Sequence, residues 1–302
     1  MRILLAGGTG LIGRSLVMEL HRLGHRVIIL SRSPQLHRAQ FPAAVQLAHW
    51  EPHEAGWIHL LEGQDAVINL AGASIGGKRW TGRRKQLILN SRTAATQALV
   101  KAVLGLRHKP GRFIQASAIG FYGPRSDEIL TETAAPGDDF LSQVCQAWEH
   151  PVLQLEGSSI VPIIIRTGHV LDSADGALPS LSLPFRFYVG GLLGSGAQWM
   201  SWIHIVDEVR AILHLLENSP SRGVYNLTAP EPVTNRDFAA ALGKALGRPS
   251  WFPLPDRLFR IVVGELAESL LTGQRVLPER LLAEEFQFNY PSLSRALKQL
   301  YP

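Results

Sequence analysis

The stretch MRILLAGGTGLIGRSLVMELHRLGHRVIILSR, residues 1–32, decides the fold. Arg2 to Ala6 is a short apolar run, the pattern of a strand buried on both faces inside a parallel sheet. Gly7-Gly8-Thr9-Gly10-Leu11-Ile12-Gly13 follows directly, and Leu11, Ile12, Leu16, Leu20 and Leu23 then recur at helical spacing. Gly24 ends that helix, and Arg26 to Leu30 forms a second apolar strand. Strand, glycine turn, helix and strand make one right-handed βαβ unit.

The glycines have separate physical roles. Gly7 and Gly8 allow a tight turn, Gly10 lets backbone N–H groups approach a pyrophosphate, and Gly13 lets the helix pack close to the strand. The helix start, from Thr9 through Leu11 and Ile12, supplies unpaired donors and a partial positive charge. A lone glycine motif fits many α/β turns. Here it sits between a strand and a helix, with a second strand at the right distance, and it reads as a dinucleotide cradle. The second strand ends on Ser31 and Arg32, where an NAD-binding unit has an Asp or Glu for the ribose 2′-hydroxyl. A hydroxyl and a guanidinium suit a 2′-phosphate, so the expected cofactor is NADP(H); a solvated Arg after a strand is the plainer alternative.

The chain has 302 residues, enough for one large core or two modest ones. It has no apolar run of about 18 residues, so no membrane span is expected. No tripartite secretory signal is visible at the N-terminus. Cys145 is the only cysteine, which excludes an intramolecular disulfide and agrees with a reducing cytoplasm, the expected location. The formal net charge is +5, but the basic residues are dispersed apart from Lys78-Arg79-Trp80 and Arg83-Arg84-Lys85. A nucleic-acid partner is therefore not expected. Two H-x-x-x-H spacings occur, His21/His25 across the helix-ending Gly24 and His49/His53 across Pro52, so neither falls within a helix that would place both rings on one face, and no C-x-x-C exists; no metal is expected.

In chain order, Val45 to Trp50 reads as a third strand and Asp65 to Leu70 as a fourth, running into Ala71 and Gly72. Small residues there let a cofactor's ribose lie against the backbone at Leu70, Ala71 and Gly72. Thr81 to Leu106 is helical by pattern. Phe113 to Ser117 is a fifth strand, Asp139 to Glu156 a helix, and Ile160 to Arg166 a sixth strand with an edge-like interruption at Pro162. Alternation of strand and helix predicts a Rossmann-type, doubly wound parallel α/β sheet with its ligand at the carboxyl ends of the strands. Past Gly168 the alternation stops. The expected division is a dinucleotide-binding core over 1–168, to which later segments return, and a smaller substrate lobe with a C-terminal helical unit over 169–302.

The Gly7-x-x-Gly10-x-x-Gly13 spacing resembles the extended branch of the short-chain dehydrogenase/reductase superfamily, which includes nucleotide-sugar epimerases and dehydratases. A closer resemblance is to its atypical "epimerase family protein" subgroup, NAD-dependent epimerase/dehydratase-like with a C-terminal domain of unknown function. The stretches that carry it are NLAGASIGGKRW (69–80), SAIGFYG (117–123), FLSQVCQAWE (140–149), RTGHVL (166–171), GGLLGSGAQWMSWIHIVDEV (190–209) and GELAESLLTGQRVLPERL (264–281). The resemblance implies an NADP(H)-binding, cytoplasmic Rossmann protein acting as an oxidoreductase or epimerase on a small carbonyl or hydroxyl compound. It leaves monomer or homodimer open. In the resemblance, the loop from Gly190 to Trp202 covers the ligand side, which makes Arg186 and Gln198 candidate substrate contacts beside Lys78, Arg79 and Trp80.

The superfamily's chemistry needs a Tyr acid/base, a Lys four residues later that lowers the tyrosine pKa, and a Ser or Thr. No Tyr-x-x-x-Lys exists here: Tyr122, Tyr188, Tyr225 and Tyr290 are followed at that spacing by Ser126, Leu192, Ala229 and Ser294. In the stretch from Phe140 to Cys145, Phe or Leu stands where Tyr belongs and Val or Cys where Lys belongs. Ala118 occupies the Ser/Thr slot, with Ser117 one residue early. Ser117 and Tyr122 are the candidate catalytic residues that remain, and for Tyr122 a packing residue that shapes the cleft is the favoured reading. Arg166 is a candidate anion contact, His204 reads as structural, and Asp207 as the cap of the helix that begins near Glu208. A non-catalytic NADP(H) sensor is the alternative function.

Overall fold

The structure is a computed structural model that describes residues 1–76, 79–252 and 271–302. Seven parallel strands build its main sheet: β1 (Arg2–Ala6), β2 (Arg26–Ser31), β3 (Gln46–His49), β4 (Ala66–Asn69), β5 (Arg112–Ala118), β6 (Val161–Thr167) and β7 (Gly223–Leu227). Their order across the sheet is β7-β6-β5-β4-β1-β2-β3. The chain winds outward in both directions from β1. This puts the crevice that accepts ligands in such sheets at the carboxyl ends of β1 and β4.

Alternation along the strands divides two apolar layers. Ile3 and Leu5 of β1 join Leu16 and Leu20 of helix α1 (Leu11–Arg22) on one face. Leu4 and Ala6 join Leu99 and Val103 of helix α2 (Gly82–Leu104) on the other. Helix α3 (Phe140–Glu149) follows β5. It stops short of the Asp139–Glu156 span that the sequence pattern predicts, because Pro151 offers no N–H to continue the ladder, and a 3₁₀ segment runs over His150–Leu155 instead. Pro162 lies in an internal strand, yet β7 begins only opposite Ile163, so at Pro162 the strand is paired on the β5 side alone. The missing N–H is therefore tolerated locally as at an edge.

Helix α4 (Leu178–Arg186) starts a second lobe. Its core joins Leu178, Phe185, Trp202, Phe238, Leu242 and Leu297. The chain returns to the main sheet through helix α5 (Ile205–Glu217) and β7, then leaves again through helix α6 (Asn235–Leu246) and helix α7 (Leu293–Leu300). The α5 N-cap is His204, whose Nδ1 accepts from Val206 N–H at 3.1 Å. Asp207 does not cap, contrary to the sequence expectation. It is one turn too late and instead accepts from the backbone N–H groups of Asn289 and Tyr290 at 2.8 and 2.7 Å. His204 also meets Gln299 Oε1 at 2.8 Å and is structural, as its sequence context predicts. No helix among the described residues is long and apolar enough to cross a membrane.

Candidate functional site

The glycine turn sits at the crevice, and each glycine has a measurable reason. Gly7 has φ +82°, and a Cβ there would lie 2.5 Å from the Leu70 carbonyl carbon, so β1 and β4 meet backbone to backbone. A Cβ on Gly13 would lie 2.3 Å from the Gly7 carbonyl oxygen. Gly10 differs: its Cβ would meet only that same oxygen, at 3.5 Å. The protein does not need Gly10 to be small, so the space it leaves open suits a ligand. Gly10 is also the N-cap of α1, in extended conformation and with no side chain capping the helix. The N–H groups of Leu11, Ile12 and Gly13 are thus left for an external acceptor. These residues fit a dinucleotide pyrophosphate.

At the end of β2, Ser31 is buried and its Oγ accepts from Ser33 N–H at 3.2 Å, which leaves the hydroxyl proton to donate. Arg32 is exposed and has no hydrogen bond or ion pair among the described residues. Past β4, Asn69 is buried and bonded to Thr96 and Gln115, while its Oδ1 holds the Ala71 N–H at 3.1 Å. This fixes the Leu70–Gly72 turn. Gly72 is small because Arg92 lies against it, 3.1 Å from where a Cβ would be. Arg14, one residue past the glycine motif, donates to the Thr9 carbonyl at 3.2 Å and pairs with Asp175. The sequence reading missed this tie, because the two residues are 161 apart in the chain.

The other end of the cleft is a closed network. Ser117 Oγ donates to Glu149 Oε1 at 2.6 Å. Arg166 binds Glu149 through Nε and Nη2, at 2.9 and 2.8 Å, and its Nη1 donates to Tyr122 Oη at 3.1 Å. Tyr122 donates to Asn226 Oδ1 at 2.6 Å and is 0 % exposed. The Arg166 guanidinium stacks on the Phe121 ring, 3.3 Å from its centroid. Arg166 is therefore a buried structural cation and not an anion contact, correcting the sequence expectation. Its charge is already matched by a bidentate carboxylate. Tyr122 takes the packing position, and burial raises its pKa, which keeps the phenol proton on. Ser117 gives its proton to Glu149. Neither candidate catalytic oxygen is free in this arrangement.

Where a tyrosine–lysine pair would stand, Leu141 and Cys145 flank the Ala118–Gly120 turn. A Cβ on Gly120 would be 3.3 Å from Leu141 Cβ and 3.9 Å from Cys145 Sγ. Burial pushes the Cys145 thiol up to about 12, which keeps it neutral. Of the candidate substrate contacts, Lys78 lies outside the described residues. Arg79 is exposed. Trp80 donates its indole N–H to the Ile75 carbonyl at 2.8 Å and packs edge-on against Phe140, with centroids 5.3 Å apart. Arg186 is exposed at the end of α4. Gln198 is buried and donates through Nε2 to the Leu193 carbonyl at 3.0 Å, a bond that braces its own loop. Among the described residues, no group of three or more His, Cys, Asp and Glu side chains is placed to hold a metal ion.

A doubly wound sheet with an open glycine cradle at its switch point defines a dinucleotide-binding protein of the Rossmann class. Comparison with known proteins gives the family. The profile of the NAD-dependent epimerase/dehydratase family matches residues 3–143, and that of a domain of unknown function, DUF1731, matches residues 254–300. Epimerase family protein YfhF of Bacillus subtilis is 38% identical over 99% of this chain and 98% of its own length. Epimerase family protein SSP1921 of Staphylococcus saprophyticus is 40% identical over 98% of each chain. The human epimerase family protein SDR39U1, crystallised with NADPH, is 36% identical and superposes with a TM-score of 0.90, covering 100% of this chain and 99% of the other. The chain belongs to this epimerase family.

Proposed function

We propose that the chain binds NADP(H) and serves as an oxidoreductase or epimerase on a small carbonyl or hydroxyl compound, without a tyrosine–lysine pair. The observation that carries the cofactor choice is Arg32: a guanidinium at the end of β2, exposed and unpaired among the described residues, where a carboxylate would repel a 2′-phosphate. The NADPH in the human relative's crystal structure supports the same reading.

The residues divide the work. Leu11, Ile12 and Gly13 present backbone N–H groups to the pyrophosphate, Gly10 makes the room, and Ser31 and Arg32 hold the 2′-phosphate. The Leu70–Gly72 turn receives the ribose. When bound, the nicotinamide supplies or accepts the hydride, which is the demanding part of the chemistry. Cytoplasmic location agrees with the single buried thiol.

Titration with NADPH and NADH tests this. Arg32→Ala should weaken NADPH binding about tenfold, or ~1.4 kcal/mol, and leave NADH binding unchanged. Equal affinity of the wild-type protein for both nucleotides would defeat the Arg32 argument. NADPH consumption with members of a carbonyl panel would establish the enzyme. The apolar Leu141 and the neutral Cys145 favour a second reading, a nucleotide sensor without turnover. Its mark would be a partner protein whose affinity differs between the NADPH and NADP+ forms.

A further inference from the structure

His169 follows Gly168 at the carboxyl end of β6 and opens the short strand His169–Leu171. Two contacts make this segment a wall of the cleft. Thr167, the last residue of β6, is in register with Ala118, the position at which the superfamily resemblance places a Ser or Thr. Farther on, the chain folds back over the glycine turn. A Cβ on Gly176 would lie 2.9 Å from Leu11 Cδ2 and 3.9 Å from the Val170 carbonyl oxygen, and Asp175 pairs with Arg14. Residues 167–176 thus run from the chemical end of the cleft to its phosphate end.

Alternation then sets the side on which His169 lies. Val170 packs against the sheet core, whereas Leu171 belongs to the core of the second lobe. His169 shares the Leu171 face and pairs in register with Trp202, a member of the same lobe core. It therefore stands between sheet and lobe. His169 is half-buried; its backbone N–H donates to the Ser201 carbonyl at 2.8 Å, and its imidazole has no hydrogen bond or ion pair among the described residues. Among the described residues it is a titratable side chain without a side-chain partner at an end where Ser117, Glu149, Arg166 and Tyr122 are all committed to one another.

We infer that His169 is the acid–base group of this cleft, exchanging a proton with the substrate oxygen in place of the absent tyrosine. The inference rests on the NADP(H) reading above. In the oxidative direction the substrate O–H bond breaks and its proton goes to the neutral imidazole. The carbinol C–H bond breaks, its hydride passes to the oxidised cofactor, and the C=O bond forms. The imidazolium then returns the proton to water. Burial alone holds the His169 pKa below the ordinary histidine value. The charged groups on neighbouring elements are Asp172 and Asp175 on its own segment, Arg186 on α4, Glu231 past β7, and His204, Asp207 and Glu208 at the start of α5. Of these, Asp175 is paired with Arg14 and Asp207 with Arg210. Glu208 accepts from Thr167 Oγ1 at 2.8 Å, and burial pushes its carboxyl up to about 8, so it is largely neutral near pH 7.

The test compares two nucleotides that differ at the nicotinamide. NADP+ carries a positive ring and NADPH does not, while the 2′-phosphate titrates equally in both and cancels in the ratio of their Kd values. As pH falls from about 8 to about 5.5, protonation of His169 should raise Kd(NADP+)/Kd(NADPH) several-fold in the wild-type protein. His169→Asn should give a flat ratio while binding NADPH at the higher pH as the wild type does, which shows it folded. A flat wild-type ratio, or a slope that survives in H169N, would overturn the inference. If neither nucleotide binds at any pH, the cofactor reading falls and takes this inference with it. With any carbonyl that the wild type reduces, H169N should lose about a hundredfold in kcat with KM little changed. An unchanged kcat would also overturn the inference.

Discussion

The two ends of the cleft treat their polar groups in opposite ways. At the phosphate end, α1 begins on an uncapped glycine, Gly10 faces open space, and Arg32 has no partner among the described residues. At the other end, Ser117, Glu149, Arg166, Tyr122 and Asn226 form a buried chain in which each side chain bonds the next. Unpaired donors at a surface cost little, because water serves them until a ligand arrives. Paired ions in a dry interior are stable only as a complete set. The difference teaches where ligand recognition lies and where fold maintenance lies, within one crevice. It also explains how a chain can keep the superfamily's architecture around the chemical end without its tyrosine and lysine.

The largest expected effect comes from breaking the closed end. Glu149→Gln leaves the Arg166 guanidinium buried with half of its bidentate partner and no countercharge. Loss of about 3–5 kcal/mol of stability is expected, read as a fall in the denaturant midpoint with an unchanged m-value. A loss confined to nucleotide affinity would show instead that Glu149 serves the ligand and that the two ends are not distinct.

The open end is tested by a pair of glycines. Gly13→Ala drives a methyl into the Gly7 carbonyl oxygen at 2.3 Å, which should cost about 1–3 kcal/mol of stability and displace the turn. Gly10→Ala meets nothing closer than 3.5 Å in the protein. It should keep the wild-type Tm and lose NADPH affinity, by isothermal titration, because its methyl takes the ligand's space. Equal loss of stability in both variants would mean that Gly10, too, is needed for packing.

This contrast accounts for what the sequence could reveal. The phosphate end is local: Gly7, Gly10 and Gly13 lie within one turn between a strand and a helix, and Ser31–Arg32 closes the same βαβ unit. Spacing alone therefore specifies it. The closed end is assembled from β5, α3, β6 and β7. Tyr122 and Asn226 are 104 residues apart, and nothing in either neighbourhood announces the other. Arg166 in isolation is indistinguishable from an anion contact until Glu149 is seen beside it. β7 was hidden for a related reason. Val224-Tyr225-Asn226-Leu227 is short and follows a lobe with no strand–helix alternation, so only the return of α5 to the sheet reveals it. The cap of α5 failed on register: His204 and Asp207 both suit helix starts, and tertiary contacts with Asn289 and Tyr290 claim the aspartate.

The smallest effect decides the status of Tyr122. Tyr122→Phe keeps the ring against Arg166 and Phe121 but removes the donor to Asn226 Oδ1 and the acceptor for Arg166 Nη1. If the phenol belongs to the closed network, stability should fall by about 1–2 kcal/mol while NADPH affinity and turnover stay near wild type. If it is a proton donor, the pattern reverses: stability holds and kcat drops. The physical argument favours the first outcome, since a phenol at 0 % exposure, with its proton given to an amide oxygen and its pKa raised by burial, has no path to a substrate. Stability alone already separates the readings without knowledge of the natural substrate, because it falls in the first and holds in the second.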